Sequence, residues 1–397
     1  MITTSLEGAA DSTRPPLTGW LAVVAVMLGI FSIVTTEIMP IGLLTPIGAS
    51  FQISAGTAGW MMTVPGIVAA VAAPLVTVAT GRIDRRLMLC ALTALLALAD
   101  LLAAIAPDYW VMLVARVLVG LTIGGFWSIG AGLAVRLVRE RAAGTATAVI
   151  FAAVPLGSVL GVPAGALIGQ FAGWRAAFAV LGVLTVAVLI ALVVLLPPLP
   201  AVQVTSPAVL RGLLRAGRVR LGLAATFLIV VAHFGAYTYV TPFLEQVTRV
   251  DPVLISTILL TYGVAGLAGN FVAGAAIARG LRATFVVGAC LVAGATLLLP
   301  VAGQWQAGAI GLLVLWGFAY GAVPVCSQTW FADAAPHARE AATVLFTSSF
   351  QATISVGALL GGVVVDSISL PAVMVAGAVS AALTALTLWL FGAKPAG

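Results

Sequence analysis

Apolar runs of about twenty residues follow one another along this chain, separated by short loops that hold most of its few charges. A helix that crosses a bilayer needs roughly 20 predominantly apolar residues. The pattern predicts twelve such helices, over residues 17–44, 54–80, 87–106, 108–135, 143–168, 175–197, 220–243, 253–278, 283–301, 306–331, 341–364 and 370–392. The same feature excludes a soluble fold. Of 397 residues, 62% are hydrophobic and 8% charged, against about 25% charged in ordinary soluble proteins. So few charges cannot cover a soluble surface, whereas lipid calls for an apolar one. The predicted fold class is all-α integral membrane, and the 43 glycines suit helices packed through small residues.

The loops alternate in charge, which sets an orientation. With the N-terminus in the cytoplasm, cytoplasmic segments hold 15 of the 18 basic residues, from Arg14 through Arg82, Arg85 and Arg86 to Lys394. The outer loops hold Arg175 and Arg249, and Arg116 falls inside helix 4. Both termini are therefore expected in the cytoplasm, in a bacterial cytoplasmic membrane. The first apolar run is too long for a signal-peptide core and has no small-residue cleavage site. The basic residues form no single patch, so the net charge of +6 does not point to nucleic acid. Cys90, Cys290 and Cys326 lie far apart inside apolar runs, with no metal or disulfide spacing. There is no phosphate-binding loop with Lys, and no nucleophile–His–acid pattern stands out. No cofactor, metal or enzymatic activity is expected.

Two halves are visible. "GRIDRR" (81–86) has a counterpart in "ARGLR" (278–282), and "VRERAAGTATAVIF" (138–151) in "APHAREAATVLF" (335–346). The expected domains are residues 1–197, a cytoplasmic linker over 198–219 with several prolines, and residues 220–397. Paired helical bundles around a midplane cavity are a transporter architecture.

Four ionisable residues are expected inside the membrane. Glu37 lies in the outer half of helix 1, where a charged side chain costs about 2.5–3.5 kcal/mol on insertion scales. Loss of water favours the neutral form of a carboxyl group, so such a residue can hold a proton. Its other reading is a structural acid bonded to backbone near Pro40. Arg116 in helix 4 stays charged and needs a partner or water. Asp100 in helix 3 is at a similar depth and is read as a proton site, as an ion-pair partner of Arg116 or as an exposed residue. His233, near the middle of helix 7, is read as a second proton site, a substrate-binding group or a packed side chain. Aromatic and polar residues supply a candidate cavity lining: Phe126, Trp127, Ser128, Tyr237, Tyr239, Tyr262, Asn270, Trp316 and Tyr320. Tyr109, Trp110 and Trp174 are read as interfacial anchors.

The stretches "TTEIMPIGLL" (35–44), "GRIDRR" (81–86), "ARVLVGLTIGGFWSIGAGLAVRLV" (115–138), "GSVLGVPAGALIGQFAGWR" (157–175) and "VVAHFGAYTYVTPF" (230–243) occur in order on the expected helices. Together they resemble the major facilitator superfamily, and within it the bacterial twelve-helix drug/proton antiporters, on the branch of arabinose and purine-nucleoside efflux permeases. The resemblance implies a monomeric proton-coupled exporter of a small molecule such as a drug, sugar or nucleoside; the alternatives are an uptake symporter of the same fold or, from another class, a membrane-embedded enzyme or sensor. It implies that Glu37 exchanges a proton and that Arg116, in Arg-x-x-x-Gly, assists. It makes Arg82, Asp84, Arg85 and Arg86 a gating loop, though Gly81 stands where the family has Asp. It also makes Gly157, Gly161, Pro163 and Gly165 the antiporter motif, with Gly161-Val162-Pro163 replacing the usual Gly-Pro pair.

Overall fold

The computed structural model describes residues 16–79, 83–127, 134–200, 212–336 and 338–392, and among them there are helices and no strands. Eleven helical segments are long and apolar enough to cross a bilayer. One of them, Pro252–Ala302, has 51 residues. At 1.5 Å per residue it would reach about 76 Å, far beyond a hydrocarbon core of about 30 Å. It turns back at Gly280, whose extended backbone (φ 168°, ψ 104°) interrupts the helical dihedrals. The segment is therefore helices 8 and 9, close to the expected 253–278 and 283–301, and the twelve-helix count stands.

Helices 1 and 7 differ from their expected ends for one reason. Helix 1 runs over Pro16–Ile38, tightens to a 3-10 turn at Met39–Leu43 and resumes as Leu44–Phe51. Helix 7 runs over Gly217–Tyr237, breaks at Thr238 and Tyr239, and continues through Val240–Phe243 and a π-helical turn, Leu244–Thr248. The expected ends, 44 and 243, fall beside Pro46 and Pro242. Each proline instead sits in the first turn of a new helical segment, where its missing N–H is not required. Both helices then end in a left-handed residue, Gln52 (φ 55°) and Arg249 (φ 58°), 197 positions apart. The next helices start from side-chain caps at Ser54 and Asp251, again 197 apart.

The remaining helices lie near their expected positions: helix 2 over Ala55–Ala58 and Trp60–Ala79, helix 3 over Arg85–Ala104, helix 4 over Tyr109–Trp127, and helices 5 and 6 over Ala143–Ala172 and Trp174–Leu195. Helices 10, 11 and 12 are Gln306–Ala334, Arg339–Ser367 and Leu370–Phe391. A close helix pair recurs with the same offset. Gly124 of helix 4 faces the backbone of Ala69 and Ala73 on helix 2, while Gly321 of helix 10 faces the backbone of Gly266 and Asn270 on helix 8. A side chain on either glycine would strike main chain that has no rotamer with which to yield. Gly321→Val should therefore destabilise the protein by about 1–3 kcal/mol through overpacking, read as a lower thermal unfolding midpoint of the purified protein. An unchanged midpoint would contradict the contact.

Two ends of the molecule can be told apart. At one, the linker end, Asp84 accepts from the backbone N–H of Arg86 and of Leu199, both at 2.8 Å, and Arg136 donates to the carbonyl of Pro200. The other end holds Phe51, Thr248 and Ser367. Buried side chains of both halves merge in one apolar cluster that includes Met39, Met61, Tyr239 and Phe243. Two further clusters each draw on one half alone: Ala22 to Leu199, and Val219 with Phe331, Ala335, Ala342 and Phe346.

Candidate functional site

Helices 1, 3, 4 and 6 bring one polar group together inside the first half. Asp100, Arg116 and Thr36 are fully buried, and Glu37 is 7% exposed. Arg116 donates from Nη1 to the carbonyl oxygen of Thr36 at 2.8 Å. The Thr36 hydroxyl donates to the Asp100 carboxylate at 3.1 and 3.2 Å, and the Thr185 hydroxyl lies 3.2 Å from Asp100 Oδ2. Thr36 thus stands between the acid and the base, in place of the direct ion pair that their depths suggest. The Arg116 guanidinium also lies over the Phe178 ring, 5.1 Å from its centroid. Its Nε and Nη2 atoms have no hydrogen-bond partner. A buried charge so thinly partnered is expensive to hold. Glu37, next in sequence to Thr36, reaches the other half instead: Gln351 Nε2 on helix 11 donates to its Oε1 at 2.8 Å.

A second group lies in the second half, on helices 7, 8 and 10. His233 stacks on Tyr320, with centroids 3.3 Å apart and planes at 8°, and on Tyr237 at 5.0 Å and 19°. Tyr237 stacks in turn on Tyr262 at 4.5 Å. Trp316 meets His233, Tyr237 and Tyr262 edge-on, at 77–85°. Tyr262 Oη is 3.5 Å from His233 Nδ1. Trp316 Nε1 and the Tyr320 hydroxyl are buried without a partner. Five candidates from three helices are thereby brought side by side.

Other candidates are placed elsewhere. Phe126 is buried in the cluster confined to the first half. Tyr239 donates its hydroxyl to the carbonyl of Ala358 at 2.9 Å, toward the far end. Asn270 is half-buried, with its backbone against helix 10 at Gly321. Ser128, Arg82, His337 and residues 201–211 of the linker lie outside the described residues, as does the side chain of Trp127. In the loop motif, Asp84 caps helix 3 and holds the chain just after helix 6, Arg86 donates to the carbonyl of Val193, and Arg85 Nη1 approaches Met88 Sδ. Gly157, Gly161 and Gly165 form one face of helix 5, set against Val34, Thr35, Ile38 and Met39 of helix 1, and Pro163 is buried beside them. That face thus packs directly against the helix that carries Glu37. Trp110 is 77% exposed, as an anchor would be. Trp174 is not an anchor: it is 5% exposed and packs on Phe51 and Phe178.

Four cross-half hydrogen bonds are found among the described residues. Besides Gln351 to Glu37, the Thr241 hydroxyl donates to the carbonyl of Ile41 at 2.9 Å. Asp366 on helix 11 accepts from the Ser54 hydroxyl at 2.6 Å and from the Gly56 N–H at 2.9 Å. The last three join the halves toward the far end. Sequence reasoning missed Thr36, Thr185, Gln351, Ser54 and Asp366. A search for charges inside spans passes over neutral Thr and Gln, and Asp366 reads as a solvated residue at a helix end. Side-chain polarity within a span is the signal that finds Gln351.

The sequence model of the Major Facilitator Superfamily matches residues 21–339 and 223–397, two overlapping stretches. Over its length the chain is similar to the transcription regulatory protein OpdE of Pseudomonas aeruginosa, with 34% identity covering 98% of each chain. It is similar to the purine ribonucleoside efflux pump NepI of Escherichia coli K12, with 30% identity covering 96% of this chain and 95% of that one. The fold matches a crystal structure of the human organic anion transporter MFSD10 (TM-score 0.67, 18% identity, 94% of this chain and 100% of that one). It also matches a POT family transporter in complex with 5-aminolevulinic acid (TM-score 0.75, 10% identity, 96% and 97%). Twelve apolar spans in this fold, matched by the family model along nearly the whole chain, make this multi-pass membrane protein a transporter of the Major Facilitator Superfamily.

Proposed function

We propose that this transporter exports a small molecule in exchange for protons. The observation that carries the reading is Glu37, a carboxyl buried in a span and hydrogen-bonded to Gln351 across the seam between the halves. A carboxyl has two charge states, and a proton gained or lost there alters its hold on the opposite half. Arg116 and Asp100 form the adjoining charged group, bridged to Glu37 through its neighbour Thr36. The unpartnered Nε and Nη2 of Arg116 are ready donors for a carboxylate that has lost its proton.

Residues 1–197 and 220–397 are taken as the two moving halves, joined by the linker over 198–219. Both termini and the basic loops are placed on the cytoplasmic side of a bacterial inner membrane. The joined far end then faces outward, so that the structure is closed to the outside. The similarity to purine ribonucleoside efflux pumps favours nucleosides among the candidate cargoes, ahead of sugars and small drugs. The protein is read as a working monomer.

Vesicle transport tests this. In everted vesicles with an acidic lumen, labelled inosine should accumulate inside, and an ionophore that collapses the gradient should stop it. Accumulation only when nucleoside and protons run in the same direction would replace export by uptake symport. The whole-length similarity to a protein named as a transcription regulator supports a second reading, a membrane sensor. Absence of any nucleoside, sugar or drug flux under either gradient would favour it.

A further inference from the structure

We propose that the slot between Tyr320 and Tyr237, filled here by the imidazole of His233, is the seat of a flat nitrogen heterocycle of the substrate, a purine-type base. The inference rests on the reading of the chain as a small-molecule exporter, and it names what part of the cargo is recognised and where. His233, Tyr320, Tyr237 and Tyr262 form a run of near-parallel rings, with interplanar angles of 8° to 22°. Flat rings are what such a run accepts, because only a flat π-face packs between two near-parallel rings. The fully buried Trp316 closes the group edge-on and leaves its Nε1–H without an acceptor. The Tyr320 hydroxyl is likewise buried and unpartnered. Buried donors are ordinarily satisfied, so two orphans beside one aromatic stack point to a ligand that brings acceptors. The ring nitrogens and carbonyl oxygen of a purine are acceptors in the plane of the ring, whereas a sugar offers a C–H face and no π-face to enter between two parallel rings.

The occupant of the slot has the right chemistry to be a placeholder. Imidazole is a planar ring with two nitrogens, the same unit as the five-membered half of a purine. Ring contacts hold it, and its one hydrogen-bond contact is long, 3.5 Å to Tyr262 Oη. Helix 7 breaks at Thr238 and Tyr239, just over a turn beyond it, so the segment that carries His233 ends close by. A base entering the slot takes the stacking that His233 gives up, and gains Trp316 and Tyr320 as donors. His233 on this account fills the slot between cargoes and is not a proton-coupling group.

Calorimetric binding to the full-length protein in detergent, without any gradient, tests the inference. Inosine and free hypoxanthine should bind, and ribose and arabinose should not compete. This arm needs no variant and so is independent of folding. Tyr320→Phe keeps the ring and removes one donor, and should weaken inosine roughly tenfold, the effect of one hydrogen bond; Trp316→Phe removes a donor together with part of the indole, and should weaken it at least as much. His233→Ala should bind inosine at least as tightly as the unaltered protein. Competition by arabinose equal to that of hypoxanthine would overturn the proposal. So would unchanged affinity in both Phe variants, or lost binding in His233→Ala with the thermal midpoint retained. The gradient assay in vesicles reports separately on export, so binding without proton-driven flux would leave the slot standing and remove only the antiport reading.

Discussion

Glu37→Gln should yield a folded protein that no longer accumulates substrate against a gradient. The amide keeps the volume of the carboxyl and an oxygen to accept the 2.8 Å hydrogen bond from Gln351. What it removes is the exchangeable proton. If Glu37 couples the two flows, gradient-driven accumulation in everted vesicles falls to that of vesicles lacking the protein. Downhill exchange of labelled for unlabelled substrate, which needs the halves to rock but no net proton movement, continues. The two assays together separate a lost coupling group from a lost fold, because a misfolded variant fails both. Accumulation at the unaltered rate would show that Glu37 is a structural acid, and attention would pass to Asp100.

Arg116→Ala should damage both stability and transport. The guanidinium is fully buried, bonded to the carbonyl of Thr36 and set over Phe178. Its removal leaves the Asp100 carboxyl with two hydroxyl neighbours and no nearby cation described. Loss of the charge-assisted hydrogen bond to Thr36 costs about 1.5–3 kcal/mol, read as a fall in the thermal midpoint and in export. Arg116→Lys retains the charge and can still donate to Thr36, but a compact ammonium cannot present the planar fork of Nε and Nη2. It should recover most of the stability and little of the export if those atoms serve Glu37 during the cycle. Equal recovery of both would make Arg116 a static tie between helices. An Ala variant with unaltered midpoint and flux would dismiss both roles.

The site was partly legible because lipid makes ionisable groups conspicuous. Glu37, Asp100, Arg116 and His233 stand out as charged or polar residues in runs where each such group is costly, and all four are buried in the structure. Their partners did not stand out. Thr36 and Thr185 are common in membrane helices, and Gln351 carries no charge, yet these three make the hydrogen bonds to Asp100 and Glu37. The aromatic candidates were readable one by one, but not as a group. Tyr237, Tyr262, Trp316 and Tyr320 come from three helices, and periodicity within a helix says nothing about which faces of different helices meet. Phe126, from the same set of candidates, is buried in a core confined to the first half.

The amino-acid order alone determined that this chain crosses a membrane twelve times, and it supplied a charge asymmetry that predicts which loops face the cytoplasm. The spans follow from transfer free energies and the orientation from the count of Lys and Arg in short loops, and both add up locally along the chain and need no partner. The repeated end of helices 1 and 7 was also encoded locally, in Thr-Pro pairs at 45–46 and 241–242, but its meaning was not. A proline can stop a helix or open the next one, and packing decided for the second. Only the tertiary structure set Thr36 between Arg116 and Asp100, joined Glu37 to Gln351 over 314 positions, and stacked His233 on Tyr320. Those contacts depend on how helices cross, a property of many side chains at once, and no single run of residues contains it.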